Sequence, residues 1–429
     1  MVVLTGFIAL FLLLFCGLPI AFGLALVGFF GFAFYSGFGA SLAMAGQVLF
    51  DTTLSYDLSV LPLFILMGAF ITQSRMSDEL YAASNAFLGH RRGGLAMATV
   101  SACGGFSAVC GSSLATVATM SKVALPQMKR YGYADGFAAA SVAAGGTLGV
   151  LIPPSVILVL YGIMTQTDIG ALFAAGLIPG LLGIGLYFLA IQWVTYRNPA
   201  AGPPGERIQW RDRWRALGAV WAVLLLFVLV LGGIYGGVFT PTEAAGMGAA
   251  GAFLIALARG TLTWKTFLAA LVETARTSAM MFMVLIGAML FANFVNIARF
   301  PFLLADLATG FDLSPLVIIL VIMMIYILLG CVLESLSMML LTVPIFFPLV
   351  VGLGFDPVWF GIFVVVVIEI GLISPPLGLN AFIIKGMAPH ISLGNIFSGL
   401  IPFIGADIVR ILLLLFFPTI ALFLPRLFH

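Results

Sequence analysis

Long apolar runs, broken at intervals by glycine, proline or a few charges, set the pattern of this chain. Residues 2–17 and 19–36 are apolar and part at Gly17-Leu18-Pro19. A single helix through both would be about 52 Å long against a bilayer core of about 30 Å, so the pattern predicts two short crossings. Residues 37–53 carry Asp51 and no Lys or Arg and read as an outside loop, followed by a third crossing at 54–72. The amphipathic stretch 72–90 fits a helix lying in the membrane interface. An apolar stretch at 93–128 lies between Arg91-Arg92 and Lys129-Arg130, with Gly111-Ser112-Ser113 at its middle. It is compatible with two full helices, or with a re-entrant hairpin whose tip stops inside the membrane, which is allowed only where protein covers it. A proline-broken helix at 133–165 and a return at 171–195 follow.

The second half repeats the plan. Crossings at 217–238 and 241–258 lead to a basic loop with Arg259, Lys265 and Arg276, a crossing at 277–293 and an interfacial segment at 294–311. A second hairpin at 313–355, between Asp312 and Asp356, has Glu334-Ser335 at its midpoint; a second broken helix at 357–385 and a last helix at 397–424 complete it. The repeat is visible in the residues themselves. Gly149, Pro153 and Pro154 return as Gly371, Pro375 and Pro376, and Pro126, Ser113-Leu114 and Pro19 return as Pro348, Ser335-Leu336 and Pro241, all at an offset of 222. Proline lacks a backbone N–H, so each pair strips helical partners from carbonyls about four residues back, Gly149 and Val150 in the first case. At membrane depth those carbonyls need a bound cation or water. Paired broken helices in two halves point to a transporter's binding site; the plainer alternative is two kinked helices that only pack.

The predicted fold is therefore an all-α polytopic membrane protein of two inverted repeats, each with about five transmembrane helices, one discontinuous, and one re-entrant hairpin. The first repeat covers 1–196, a cytoplasmic basic linker 197–216 and the second repeat 217–429. Charge gives the sidedness: on this map 14 of the 18 Lys and Arg fall in cytoplasmic loops, Arg299 and Arg426 fall outside, and Lys122 and Arg410 are embedded. Composition agrees, with 62% hydrophobic and 8% charged residues and a mean hydropathy of +1.22. The net charge of +2 gives no sign of a nucleic-acid partner, and none is expected; the four cysteines show neither a disulfide framework nor zinc spacing. The first apolar run has no basic lead, so it reads as a structural helix and not a signal peptide.

Candidate chemistry gathers at the midpoints and breaks. Gly111, Ser112, Ser113 and Thr116 offer hydroxyls and helix ends that suit an anion or a cation, although single serines in membrane helices often bond their own backbone. Glu334 and Glu369 are membrane-embedded carboxylates and functional candidates by default. Asn380 follows the second break and is a candidate for the cavity lining. Lys122 and the Asp407/Arg410 pair, at i and i+3, read as structural, and the Met-rich run 280–289 as a lipid-facing or packing surface. No HExxH, GxSxG, P-loop or intramembrane aspartate pair is present, so an enzyme or an ATP-hydrolysing pump is disfavoured.

The runs GSSLATVATM, GGTLGVLIPPS, GCVLESLSMMLLTVPIFFP and EIGLISPPLGLN resemble the signature regions of the large membrane subunit of tripartite ATP-independent periplasmic (TRAP) transporters, the DctM-like family, and the resemblance covers nearly the whole chain. It implies an elevator-type secondary transporter of the ion transporter superfamily in the bacterial inner membrane. Such a protein would be driven by sodium, at about two sites or more, and would import small carboxylates such as C4-dicarboxylates or sialic acid. Its partners would be a small four-helix DctQ-like membrane subunit, expected as a separate polypeptide, and a DctP-like periplasmic binding protein. By the same resemblance one sodium site would involve Ser112, Ser113, Gly149, Ile152 and Pro154, and a second Gly330, Glu334, Ser335, Gly371, Ser374 and Leu377. The substrate would lie between the tips, near Gly111, Ser112, Thr116, Thr147, Ser337 and Asn380. The alternative function is a stand-alone sodium- or proton-coupled dicarboxylate or citrate carrier of related fold; a channel or intramembrane enzyme has no supporting motif.

Overall fold

A computed structural model describes residues 2–74, 76–310 and 314–428. Asp312 and the first residue of the expected second hairpin, Leu313, lie outside the described residues. The first half comprises α1 (Val2–Phe15), α2 (Ile20–Ser36), α3 (Phe38–Leu54), α4 (Val60–Gln73), α5 (Met76–Leu88), α6 (Gly94–Cys110), α7 (Ser113–Arg130), α8 (Asp135–Thr147), α9 (Val156–Thr165) and α10 (Ile169–Arg197). The linker carries α11 (Trp210–Ala219). The second half comprises α12 (Trp221–Tyr235), α13 (Pro241–Ala258), α14 (Trp264–Ile297), α15 (Phe300–Gly310), α16 (Pro315–Gly330), α17 (Ser335–Gly352), α18 (Pro357–Ile373), α19 (Leu379–Met387), α20 (Leu393–Phe416) and α21 (Thr419–Phe428).

The offset of 222 organises these elements. Added to the bounds of α7 it gives 335–352, the bounds of α17, and added to the first residue of α8 it gives Pro357, the first of α18. The pairs α1/α12, α2/α13, α5/α15, α6/α16, α9/α19 and α10/α20 match in the same way to within a few residues. Side-chain caps start several of the helices. Ser112 and Ser155 accept from Ala115 and Leu158 amides, Asp168 accepts from Ala171, and Asp356 accepts from Val358 and Trp359, satisfying first-turn N–H groups.

Four expectations are corrected. Residues 37–53 form α3, not a loop; the segment corresponds to the first part of α14, and here the halves differ in that α3 and α4 meet at a 60° bend where α14 is one continuous helix of 34 residues. The expected division of 277–293 from 294–311 falls instead at residues 298–299, where Arg299 takes a positive φ of 55°. The last helix divides at Phe417-Pro418, where proline removes a helical donor, into α20 and α21. The linker is partly helical: α11 meets α12 at 48°.

Contacts fix the relative direction of the halves. Gly205 N–H donates to the Gly89 carbonyl, Gly93 to Gly202 and Ala134 to Ala201, so the basic linker lies along the base of the first hairpin, beside Arg91, Arg92 and Arg130. Arg259 Nη1 holds both carboxylate oxygens of Glu79 at 2.7–2.8 Å, which brings the second-half basic loop to that same face. At this face the start of α8 adjoins the turn after α19. At the opposite face the Tyr161 hydroxyl donates to the Pro357 carbonyl at 2.6 Å, so the end of α9 adjoins the start of α18. The two broken helices therefore run antiparallel, and the repeats are inverted.

Two packed groups result. Helices α1, α2, α4, α12, α13 and α14 pack on one another as a frame. The hairpins α6–α7 and α16–α17 enclose the broken helices with α10 and α20. Each hairpin's second arm also leans on the other half's broken helix, α7 on α19 and α17 on α9. α18 is the centre of this group; every residue from Trp359 to Ile373 is buried. Five helices, α10, α13, α14, α17 and α20, are each long and apolar enough to cross a bilayer alone.

Candidate functional site

The two hairpin tips meet. Gly111, Ser112, Ser113 and Leu114 from the first, and Glu334, Ser335 and Leu336 from the second, line one cavity of about 70 Å³ with Val150, Val156 and Ile157 of the first broken helix and Met281 of α14. Two or so waters fill that volume, and it is well below the ~300 Å³ of ordinary small-ligand pockets. The tips are closed on one another in this conformation.

The first break runs as a single 3₁₀ turn, Leu148–Val150, and then leaves helical form until Ser155. Pro153-Pro154 and Pro375-Pro376 are both cis. Ser155 Oγ donates to the Val150 carbonyl. Among the described residues no backbone hydrogen bond reaches the carbonyls of Gly149, Ile152 or Pro154, nor those of Gly330, Ser374 or Leu377. The second break lies beside the second tip, where Cys331 Sγ donates to the Pro375 carbonyl at 3.1 Å. Gly330 and Gly371 touch backbone to backbone: a Cβ on Gly371 would lie 2.6 Å from the Gly330 Cα, and one on Gly330 would lie 2.8 Å from the Gly371 Cα.

Side chains lock the tips to the breaks. The Asn380 amide donates to Ser113 Oγ at 2.9 Å and to the Ala143 carbonyl at 3.0 Å, so one residue after the second break grips the first tip and α8. Thr116 Oγ1 donates to the Ser112 carbonyl at 2.8 Å and accepts from Ser107 Oγ at 3.1 Å, within the first hairpin. Ser337 and Ser374 are buried near the second tip, while Leu377 is partly exposed.

Two expected site residues face elsewhere. The Thr147 hydroxyl donates to the Ala144 carbonyl at 2.8 Å and lies 3.3 Å from the Tyr187 hydroxyl, away from the cavity. Glu369 is fully buried and paired with Arg410. Arg410 also lies 2.7 Å from Asp407, whose other oxygen accepts from the Tyr187 hydroxyl at 2.7 Å. Thr147, Tyr187, Asp407, Arg410 and Glu369 thus form one buried chain joining α8, α10, α20 and α18. Gly183 leaves the space for the guanidinium, since a Cβ there would lie 2.4 Å from Arg410 Nη1. Tyr187, Ser107 and Cys331 were not anticipated. The signal available for the network was that embedded charges must pair, with Glu369 and Arg410 available to do so. Met281 packs against the core as read for its run and also lines the tip cavity; Met280 and Met283 are exposed as expected of a lipid-facing surface. Lys122 stands at the middle of α7 with its side chain exposed on the protein surface.

Inverted repeats, each with a hairpin and a broken helix, whose two hairpin tips meet at one small cavity define a membrane transporter. The fold is similar to that of a solved structure, the Alcanivorax borkumensis YdaH transporter, at a TM-score of 0.62 over 89% of this chain and 88% of that one, with 17% identity. Sequence gives the family. Residues 7–420 match the tripartite ATP-independent periplasmic transporter, DctM component, and the chain belongs to that family. It is 38% identical over 381 residues to the C4-dicarboxylate TRAP transporter large permease protein DctM of Pseudomonas aeruginosa, covering 88% of each. It is 32% identical over 418 residues to the sialic acid TRAP transporter large permease protein SiaM of Vibrio cholerae, covering 97% of this chain and 96% of that one. The isethionate TRAP transporter permease protein DctMQ of Oleidesulfovibrio alaskensis is 35% identical over 433 residues, 98% of this chain and 66% of the relative. The chain is thus a transporter permease of the inner membrane, not an enzyme, and large permeases of this family work with a small subunit and a periplasmic binding protein.

Proposed function

We propose that this chain is the large permease of a sodium-driven importer of small organic acids, with alternating access by an elevator movement. The observation that carries this reading is the meeting of two repeat-related tips, entering from opposite faces, at one small cavity beside the first helix break, with Ser112, Ser113, Glu334 and Ser335 in its lining. The names of the relatives support small organic acids as cargo. The donors at the breaks fit sodium: unbonded carbonyls and serine hydroxyls are neutral hard oxygens. Among the described residues no three His, Cys, Asp or Glu side chains gather into an alternative metal site. Bound sodium would supply positive charge at membrane depth, beside which an anionic acid can rest.

The chain's own residues do the remaining work. Gly149, Ile152 and Pro154 would present carbonyls to the first tip at Ser112-Ser113, and Gly330, Ser374 and Leu377 would do so at Glu334-Ser335, beside Gly371, whose carbonyl accepts from the Ser374 amide. Asn380 holds the first tip to the second break, so that the hairpins and broken helices move as one group past the frame helix α14. A groove of about 600 Å³ between α1, α2 and α14, lined almost wholly by apolar side chains, offers the frame surface for the small subunit. On the face of Asp356 no described segment approaches the ~50 residues of an independent domain, so capture of the acid falls to the binding protein.

Proteoliposome reconstitution tests this. Sodium-gradient uptake is expected only when the chain, its small subunit and the loaded binding protein are all present, and a pH gradient alone is expected to give none. Ser113→Ala and Ser335→Ala should each weaken the sodium dependence, while Lys265→Gln, in the first turn of α14, should not. Accumulation by the chain alone would favour the stand-alone carrier instead.

A further inference from the structure

At the basic face, remote from the tips, a cavity of about 300 Å³ opens between the lower part of α7, the start of α8 and the turn after α19. Its polar lining is Ser121, Lys122, Lys129, Asp135 and His390. Ser121 is 3% exposed, and its hydroxyl has no hydrogen-bond partner. A buried hydroxyl left unpaired is costly and is rare in native proteins, so it marks a place where a ligand group or water completes the shell. The turn that carries His390 is fixed, because Lys385 Nζ donates to the carbonyls of Pro389 at 2.5 Å and Ile391 at 3.0 Å. The site is built from both repeats and is framed by ordered backbone.

We propose that this pocket is a second binding site, for a small organic acid, at the point where cargo leaves toward the cytoplasm. The cytoplasmic placement and the link to transport rest on the importer reading above. Two ammonium groups and the Ser121 hydroxyl are donors that suit a carboxylate, and the long lysine stems let both reach one anion. Asp135 stands in the same lining and repels a second bare anion, but it accepts from a hydroxyl or ammonium on the ligand. The class selected is therefore a carboxylic acid that also carries a hydrogen-bond donor. The position fits an exit. α19 has Asn380 near its start, bonded to the first tip, and Met387 at its end, in the pocket wall. Its nine residues span about 14 Å, a single helix between the tip and the pocket.

The chain has four lysines, of which Lys122 and Lys129 line the pocket, Lys385 is bonded and Lys265 lies in the first turn of α14. Acetylation rates at each lysine, read by peptide mass spectrometry on the purified full chain in neutral detergent, test the site. Malate is expected to slow Lys122 and Lys129 several-fold and leave Lys265 unchanged, and succinate, which lacks the hydroxyl, is expected to protect less. Ser121→Ala should weaken the protection and Asp135→Asn should erase the preference for malate. The proposal is overturned if neither lysine is protected, if chloride at equal ionic strength protects equally, if succinate and phosphate match malate, or if only micelles of anionic phospholipid protect. The measurement needs neither partner subunits nor a sodium gradient. Its failure leaves the importer reading standing, and a failure of sodium-driven uptake leaves the footprint interpretable.

Discussion

Arg410 balances the charges buried between the two halves. It is fully enclosed with Glu369 and Asp407, and its Nε and Nη1 and the Glu369 Oε1 lack further hydrogen-bond partners. Removing the cation strands two carboxylates in a low-dielectric interior, a loss of about 3–5 kcal/mol. Arg410→Met should therefore unfold at a markedly lower temperature in detergent melts. Adding Glu369→Gln and Asp407→Asn to it should recover most of that loss, because no charge is then left buried. A triple variant as unstable as the single one would refute the charge account. This network was only half legible. The spacing of Asp407 and Arg410 showed a pair on one helix face, but Glu369 lies 41 residues away and Tyr187 lies 220 from its partner Asp407, and only tertiary packing joins them.

The breaks are where element structure was read best, since paired prolines remove donors wherever they stand. Packing at the breaks was less visible, because closeness between α16 and α18 depends on two glycines that only the fold brings together. Gly330→Ala and Gly371→Ala each push a methyl against facing backbone, which cannot yield as a flexible side chain would. Each should cost about 1–3 kcal/mol of stability, whereas Gly386→Ala, with nothing within 4 Å, should cost nothing measurable by the same melts. The reading of 37–53 as a loop failed for a related reason. One acidic residue and the absence of cations say where a segment sits, not whether it is helical, and its helical counterpart in α14 is recognised only once the repeat is extended through the frame.

For the whole molecule, the basic residues collect at one face through contacts independent of the charge rule: linker to hairpin base, Arg259 to Glu79, and the turn after α19 to the start of α8. Asp356 lies at the other face, beside the end of α9. A reporter fused after Arg213 should therefore read cytoplasmic, and one fused after Asp356 should read periplasmic. Fusions that report the same side would refute the inverted arrangement. The sequence carried this level well, because an offset that preserves prolines and glycines is visible by inspection, while the direction of each half follows from where cations fall.

The exchange of supports between the halves, α7 resting on α19 and α17 on α9, means that neither half is self-sufficient. A chain severed in the linker would yield two fragments, each presenting a hairpin without the helix it leans on. Divergence is constrained in the same way: a bulkier residue accepted in one half's broken helix has to be accommodated by the other half's hairpin. The two copies are bound to change in step at their seams, and are free to drift apart where each touches only lipid.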